Sequence, residues 1–384
     1  MIAELDTNED FRQREFPICA RKIYCAHAAD APLPRRVAES MRDAIEDAST
    51  NEKQFDRALG FIADTRQLLG DFLGAETEEI SLSGPTSSGL NAVANGLDWK
   101  VGDEVVCYLD DYPADVYPWL GLERNGVTPV LLQTERLGEI TPEIVERALT
   151  KRTRLVALAS ANNASGYRID VETIGKMCAE RDILFSVDGI QTIGAFSIPL
   201  RNVDFLSAGA QKWMLGPSGA GILFVKKSRQ ELLRPMMVGG WNVTSPNFVA
   251  QREIRYENGG RKFEPGGYNN VPIAGMQGAI ALLSDVGLSG ISERILSLIA
   301  TLKSKLDPEN FEFLSPDGSS DHASFLTFRP RRLTSEKLVD ALAKNDIVVS
   351  LRIDREDRAW IRVSPHFYNT FVEMERIAEV LNHL

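Results

Sequence analysis

The sequence predicts an α/β fold in which a mostly parallel sheet, covered by helices on both faces, is followed by a smaller α+β C-terminal domain. Three observations carry this. From about residue 75, short β-rich runs alternate with longer helical patterns, the signature of parallel strands joined by crossover helices. Most of the runs are continuously apolar rather than alternating, as expected for strands buried on both faces. Beyond residue 225 the pattern changes, and the last 70 residues read as a separate set of strands and helices.

In chain order the expected strands are Ile80–Ser83, Glu104–Leu109, Thr128–Leu132, Leu155–Ser160, Leu184–Asp188, Phe205–Ala208 and Gly221–Val225, seven in all. Helical patterns fall between them at Ser88–Gly96, Pro142–Leu149 and Val171–Arg181, with Thr141 and Pro142 reading as N-cap and first helical residue. Residues 234–272 are rich in Gly, Asn and Pro and form a long irregular excursion, which inside a domain points to a functional or interfacial segment. Helices are expected at Ile273–Asp285 and Ile291–Leu306. The smaller domain then follows with strands at Ser324–Phe328, Val348–Leu351 and Trp360–Val363, and helices at Ser335–Lys344 and from Phe371.

The 384 residues, 43% hydrophobic and 25% charged, suffice for a sizeable core without disulfides or metal. Cys19, Cys25, Cys107 and Cys178 are scattered, without CxxC spacing, so no metal site is expected and Cys107 and Cys178 read as buried thiols. A net charge of −11 disfavours nucleic acid as a partner. The acidic N-terminus resembles no signal peptide and no 18-residue apolar run occurs, so the expectation is a cytoplasmic protein without a membrane partner.

Four features carry the chemistry. Lys212, in SAGAQKWMLGPSGAG, follows a strand among small and apolar residues. Loss of water there lowers an ammonium pKa and frees the amine as a nucleophile toward a carbonyl. Asp188 ends the run Leu184–Asp188, 24 residues earlier, where acids point into the ligand crevice of open α/β sheets. It would keep a pyridine nitrogen protonated, with Gln191 reaching the ring's phenolic oxygen. Gly84-Pro85-Thr86-Ser87-Ser88-Gly89 opens a helix and fits a phosphate cradle, although it is no Walker loop because no Lys-Ser/Thr follows the glycines. Arg362, in WIRVSPHFYNT, suits bidentate binding of a substrate α-carboxylate. Taken singly, the lysine and the arginine read more readily as a solvated loop residue and a surface residue, and the aspartate and the helix N-terminus equally as a turn residue and an unliganded cap. Together they specify an aldehyde cofactor with a phosphate and a pyridine ring.

In this order the features resemble the class V aminotransferase and cysteine desulfurase family of fold-type I enzymes that use pyridoxal 5′-phosphate, most specifically over Ser186–Val225. The resemblance implies a seven-stranded, mostly parallel large domain (residues 21–275), a small C-terminal domain (276–384), and an N-terminal segment (1–20) packed on the latter. It makes Lys212 the Schiff-base lysine, Asp188 the partner of the ring nitrogen and Gln191 the donor to the ring oxygen. Thr86 and Ser87 fall in the phosphate loop, Asn163 beside the ring, and Tyr112 where many members stack a histidine on it. Gln211, where desulfurases usually place histidine, also falls on the cofactor side. Arg362 and Ala28 fall on the substrate side. Gly267 stands where relatives place a threonine that reaches the partner's phosphate across a homodimer. His27 and His366 read as structural, and Trp241 and Asn242 as pocket or interface residues.

This chain departs from the desulfurase pattern in two respects that bear on chemistry. VVSLRIDREDRAWIRV, just before Arg362, lacks the loop cysteine that takes up sulfur, and Gly209 replaces a common phosphate-binding serine. The expected activity is therefore transamination of a small amino acid with a keto-acid acceptor. The alternatives are a C–S or C–Se β-lyase needing no loop cysteine, an amino-acid epimerase, and a catalytically inactive cofactor-binding subunit.

Overall fold

The computed structural model describes residues 1–52, 55–316 and 324–383, those at 55–58 by backbone alone. The seven apolar runs form one sheet of seven strands: β1 (Ile80–Ser83), β2 (Glu104–Cys107), β3 (Thr128–Leu131), β4 (Thr153–Ala159), β5 (Leu184–Asp188), β6 (Phe205–Gly209) and β7 (Gly221–Val225). Their spatial order is β1-β7-β6-β5-β4-β2-β3. Only β7 runs against its neighbours, pairing antiparallel with both β1 and β6. Strands β5, β6 and β7 are buried at every residue, which explains why their sequences do not alternate.

Register decides where the chemistry can sit. Ala159 of β4 lies opposite Asp188 of β5, and Asp188 opposite Ser207 of β6. The carboxyl ends of these three parallel strands therefore finish together, and the loops beyond them open onto one crevice.

A second sheet, antiparallel, contains β8 (Phe311–Phe313), β9 (Leu326–Pro330), β10 (Ser350–Ile353) and β11 (Ala359–Val363) in the order β10-β11-β9-β8. The run read as one strand at Val348–Leu351 is two. Ile347–Val348 pairs in parallel with Ile23–Tyr24, and the chain then joins the second sheet at Ser350. The N-terminal helices Ile2–Thr7 and Glu9–Glu15 lie on this part of the molecule. Arg12 Nη1 meets Glu373 Oε1 at 2.8 Å, Arg294 Nη1 meets Asp6 Oδ2 at 3.0 Å, and Phe16 stacks on Tyr368 at 4.2 Å.

The stretch following Arg362 completes that clamp. Ser364 Oγ accepts from the Ala28 amide at 3.1 Å, and Asn369 Nδ2 donates to the Tyr24 carbonyl at 3.2 Å. His27 bridges the Ser364 carbonyl (2.9 Å) and the Tyr368 hydroxyl (2.6 Å), and His366 lies 3.0 Å from the Trp213 carbonyl. Burial lowers the pKa of both histidines, that of His366 to about 4, so both stay neutral. They are structural parts of the seam between the N-terminal segment and the strand-bearing domains.

Gly194, just after the Asp188–Gln191 turn, has φ of +100°, and a Cβ there would lie 2.2 Å from the Trp213 carbonyl oxygen. Backbone cannot yield as a flexible side chain does. Gly194→Ala is expected to cost about 3 kcal/mol through strain and overpacking combined, read as a lower denaturant midpoint with an unchanged slope.

Candidate active site

Ten of the residues named from sequence line one cavity of about 280 Å³ at the carboxyl ends of β4, β5 and β6: Ala28, Thr86, Ser87, Tyr112, Asn163, Asp188, Gln191, Gln211, Lys212 and Arg362. Gly267 does not. It lies with Gly266 on a second cavity, on the far side of the Ser83–Gly89 turn. Trp241 and Asn242 also stand apart from Lys212. Asn242 is fully buried and staples the excursion, accepting from the Gly239 amide at 2.9 Å and donating to the Met237 carbonyl at 2.9 Å.

Lys212 follows β6 and extends its amine into this cavity, with Nζ 5.5 Å from the centre of the Tyr112 ring. Burial lowers its pKa to about 8, and the Arg362 charge adds to that, against opposition from Asp188 and Asp115. Asp188 is buried at the end of β5, where its Oδ1 accepts from the Ile190 amide at 2.7 Å. Sequence reading missed its neighbour. Asp115, in the first turn of helix Pro113–Leu120, is buried in the same cavity and hydrogen-bonded to Asp188. Burial raises the Asp115 pKa well above the carboxylate range, and the charge of Asp188 raises it further. Burial raises the Asp188 pKa as well, but the Ile190 amide, the hydrogen bond to Asp115 and the Lys212 charge oppose it, so the proton of the pair favours Asp115. Nothing in ADVYPW distinguishes Asp115 from an ordinary acid in a helix's first turn.

The phosphate-loop segment forms the N-terminus of helix Thr86–Gly96, starting two residues before the expected Ser88. The Thr86 hydroxyl accepts from the Gly209 amide at 2.8 Å. A Cβ on Gly209 would come within 2.4 Å of Gln211 Oε1, so the glycine makes room for the glutamine. Gln211 Oε1 is itself buried without a partner. Gln191 spends one amide hydrogen on the Ala28 carbonyl (3.0 Å) and accepts from Trp213 Nε1 (3.1 Å), which leaves its second N–H available.

Arg362 on β11 is 1% exposed, yet its only hydrogen bond is from Nη1 to the Asn163 carbonyl at 2.5 Å. Its Nε and Nη2 are buried without partners. Buried donors are normally satisfied, so these atoms await an acceptor from outside the chain. Arg352 of β10, not singled out from the sequence, lines the same cavity.

The donor set fits pyridoxal 5′-phosphate. The cavity offers a lysine of depressed pKa, two buried acids joined by a hydrogen bond, and a helix N-terminus at Thr86 and Ser87. Because Lys212 has its pKa lowered from 10.5 to about 8, the neutral amine predominates above that value. Uptake of the cofactor by the apoprotein is therefore expected to rise with pH and level off above about 8, as stopped-flow absorbance would show. A rise continuing past pH 10 would assign an ordinary solvated lysine.

Comparison with known proteins agrees with this geometry. Residues 23–377 match the family described as Aminotransferase class-V. A probable cysteine desulfurase of Methanothermobacter thermautotrophicus is 26% identical, with 98% of each chain covered. The apo cysteine desulfurase of Thermococcus onnurineus superposes with a TM-score of 0.89 at 24% identity, covering 98% of this chain and 97% of the other. The cystine C–S lyase C-DES has been solved with its product cysteine persulfide (TM-score 0.86, 22% identity, 95% and 98% covered) and as a variant with glycine covalently linked to its pyridoxal phosphate cofactor. At these identities the solved structures establish the shared fold. By its match along almost its whole length, this chain belongs to the class V aminotransferase family and is a pyridoxal phosphate-dependent enzyme.

Proposed function

We propose that the protein is a β-lyase that cleaves the Cβ–S bond of a cysteine-type amino acid and releases the sulfur product directly. The relatives above are named cysteine desulfurases or a C–S lyase rather than aminotransferases, which favours this reading over the transamination expected from sequence. One observation gives it its form. Cys25, Cys107 and Cys178 are buried, Cys19 is partly buried, and none lines the cavity. Burial raises the pKa of Cys19, Cys107 and Cys178 to about 12 and that of Cys25 well above the ordinary thiol value. These are thiols, poor nucleophiles at neutral pH, so no residue in the cavity takes up the sulfur.

In this reading Asp188, steadied by Asp115, would hold the ring nitrogen of the cofactor, Thr86 and Ser87 at the helix N-terminus would hold its phosphate, and Tyr112, Asn163, Gln191 and Gln211 would complete its pocket. The bound cofactor supplies an electron sink for the pair left at Cα. Arg362 receives the α-carboxylate on its two unpartnered nitrogens, which fixes which Cα bond is broken. Lys212 Nζ removes the Cα proton, a task suited to an amine of pKa about 8. The Cβ–S bond breaks and the sulfur departs with its electron pair. The position where many relatives stack a histidine on the ring is here Tyr112. A disulfide substrate suits this arrangement, because a persulfide leaves as a weaker base than a thiolate. For cystine the balance is cystine plus water giving pyruvate, ammonia and cysteine persulfide.

The exposed Met236, Met237, Val238, Phe248, Val249 and Ile254 of the excursion, with Gly267 on the second cavity, support a homodimer through this face.

The test is to incubate purified holoenzyme with L-cystine and, separately, L-cysteine, without any keto acid. Pyruvate and ammonia in equal amounts are expected. Turnover only when a keto acid is added would make the enzyme an aminotransferase, and an inverted Cα without elimination would make it an epimerase.

A further inference from the structure

We propose that Arg352 is a specificity residue that binds a second anionic group, carried on the substrate's side chain, while Arg362 binds the α-carboxylate. This rests on the reading that the Lys212 cavity takes an amino acid.

Arginines are dense in this part of the chain, and their partners separate them into two kinds. Arg355 Nε pairs with Asp110 at 2.5 Å, and Arg358 Nε with Asp354 at 2.7 Å. Arg352 and Arg362 make no ion pair among the described residues, and these are the two that line the cavity. Arg352 Nη1 donates only to the carbonyl of its own neighbour Leu351, at 3.0 Å.

Their relative placement follows from strand register. Ser350 lies opposite Arg362 and Arg352 opposite Trp360 in the β10–β11 ladder. Arg352 and Arg362 are thus diagonal neighbours on one face of the sheet, a separation of roughly 7–8 Å between such positions. Arg362 is sunk at 1% exposure, whereas Arg352 is half-buried nearer the mouth. An amino acid anchored by its α-carboxylate at Arg362 directs its side chain outward past Lys212 and Tyr112 to Arg352.

The two guanidinium groups face one cavity without an ion pair to the carboxylates of Asp111, Asp115 and Asp188 that also line it; they repel each other, and each is partly stripped of water. The strain shows in Arg362, whose pKa is lowered by burial and then by Arg352, and in Arg352, lowered by burial. A substrate with one negative charge relieves half of this. A substrate with two anionic groups relieves both. Carboxylate, sulfonate and the distal carboxylate of a disulfide amino acid share that chemistry.

The experiment titrates holoenzyme with L-cysteate, L-glutamate and L-norvaline and reads dissociation constants from the visible absorbance of the cofactor. Wild type is expected to bind the two acidic ligands at least about tenfold more tightly than L-norvaline, the worth of one charge-assisted contact. In Arg352→Gln that preference should vanish with L-norvaline binding unchanged, and Arg352→Lys should keep part of it. Comparing cysteate with glutamate separates sulfonate from carboxylate recognition, and the KM for L-cystine in the same variants tests the disulfide arm. Equal weakening of acidic and neutral ligands, or an unaltered preference in Arg352→Gln, would overturn the proposal. Because the readout is binding, it stands whether or not pyruvate is produced. Absence of pyruvate from every substrate would sink the lyase reading alone.

Discussion

Lys212→Ala is expected to lower turnover of an amino-acid substrate by at least about 10⁴-fold, the upper range for loss of a positioned general base. Covalent attachment of the cofactor should disappear with it. On the proposed reading two roles meet at one nitrogen: Nζ would be the nucleophile toward the cofactor's aldehyde and then the base at Cα. The structure supports both, since Nζ projects into the cavity that also holds Asp188 and Arg362, and burial lowers its pKa to about 8. Other lysines do not replace it, for Lys212 is the single lysine lining this cavity among the described residues. Steady-state kinetics beside a visible spectrum would check the claim. Retention of even a hundredth of wild-type turnover would move the base to another side chain of the cavity.

Arg362→Leu makes the second large prediction, with opposite signs for activity and stability. Its guanidinium is buried with two nitrogens unpartnered and no carboxylate beside it, an arrangement costly to the empty protein. A leucine should therefore leave the melting temperature unchanged or raise it. The same change removes both donors for the α-carboxylate. At about 1.5–3 kcal/mol for each charge-assisted bond, kcat/KM should fall by roughly 10²–10⁴-fold, mostly through KM. A calorimetric scan and a substrate titration on one preparation test both signs. A variant that lost stability and activity in parallel would reveal Arg362 as a structural residue.

Much of this site is legible in the sequence because the residues that hold it sit at the ends of apolar runs. Asp188 closes a fully buried strand, and Lys212 follows another at fixed distance. Any correct reading of those runs brings the two together at the carboxyl edge of the sheet. Arg362 is legible for a similar reason, lying within the short run Trp360–Val363. What escaped lies on helices and edges. Asp115 looks like any acid in a first helical turn, and only the fold shows that this turn faces β5. Arg352 sits in a run of alternating charges, where spacing cannot tell an arginine paired to an aspartate from one facing a cavity.

The fold divides along the same line. Helix Arg35–Thr50 is amphipathic but strongly charged, buries only Val37 fully and lies ahead of the strand–helix alternation from which the fold is read, yet it packs along helix Asn270–Val286. Strand Phe311–Phe313 has three residues, too few for any pattern. The break between Val348 and Ser350 is invisible in an uninterrupted β-rich run, because it arises from pairing with Ile23–Tyr24, more than 300 residues away. The expected transaminase activity gave way for a different reason. Proton removal at Cα is common to all the reactions weighed, and the residues that perform it do not reveal which bond breaks next.

The most direct test of the account is to reduce the holoenzyme with borohydride, digest it, and map the phosphopyridoxyl group by mass spectrometry. The account predicts a single modified peptide, labelled at Lys212. Label on any other lysine, or none after saturation with the cofactor, would contradict it and remove the basis for the roles of Asp188, Asp115, Arg352 and Arg362 together.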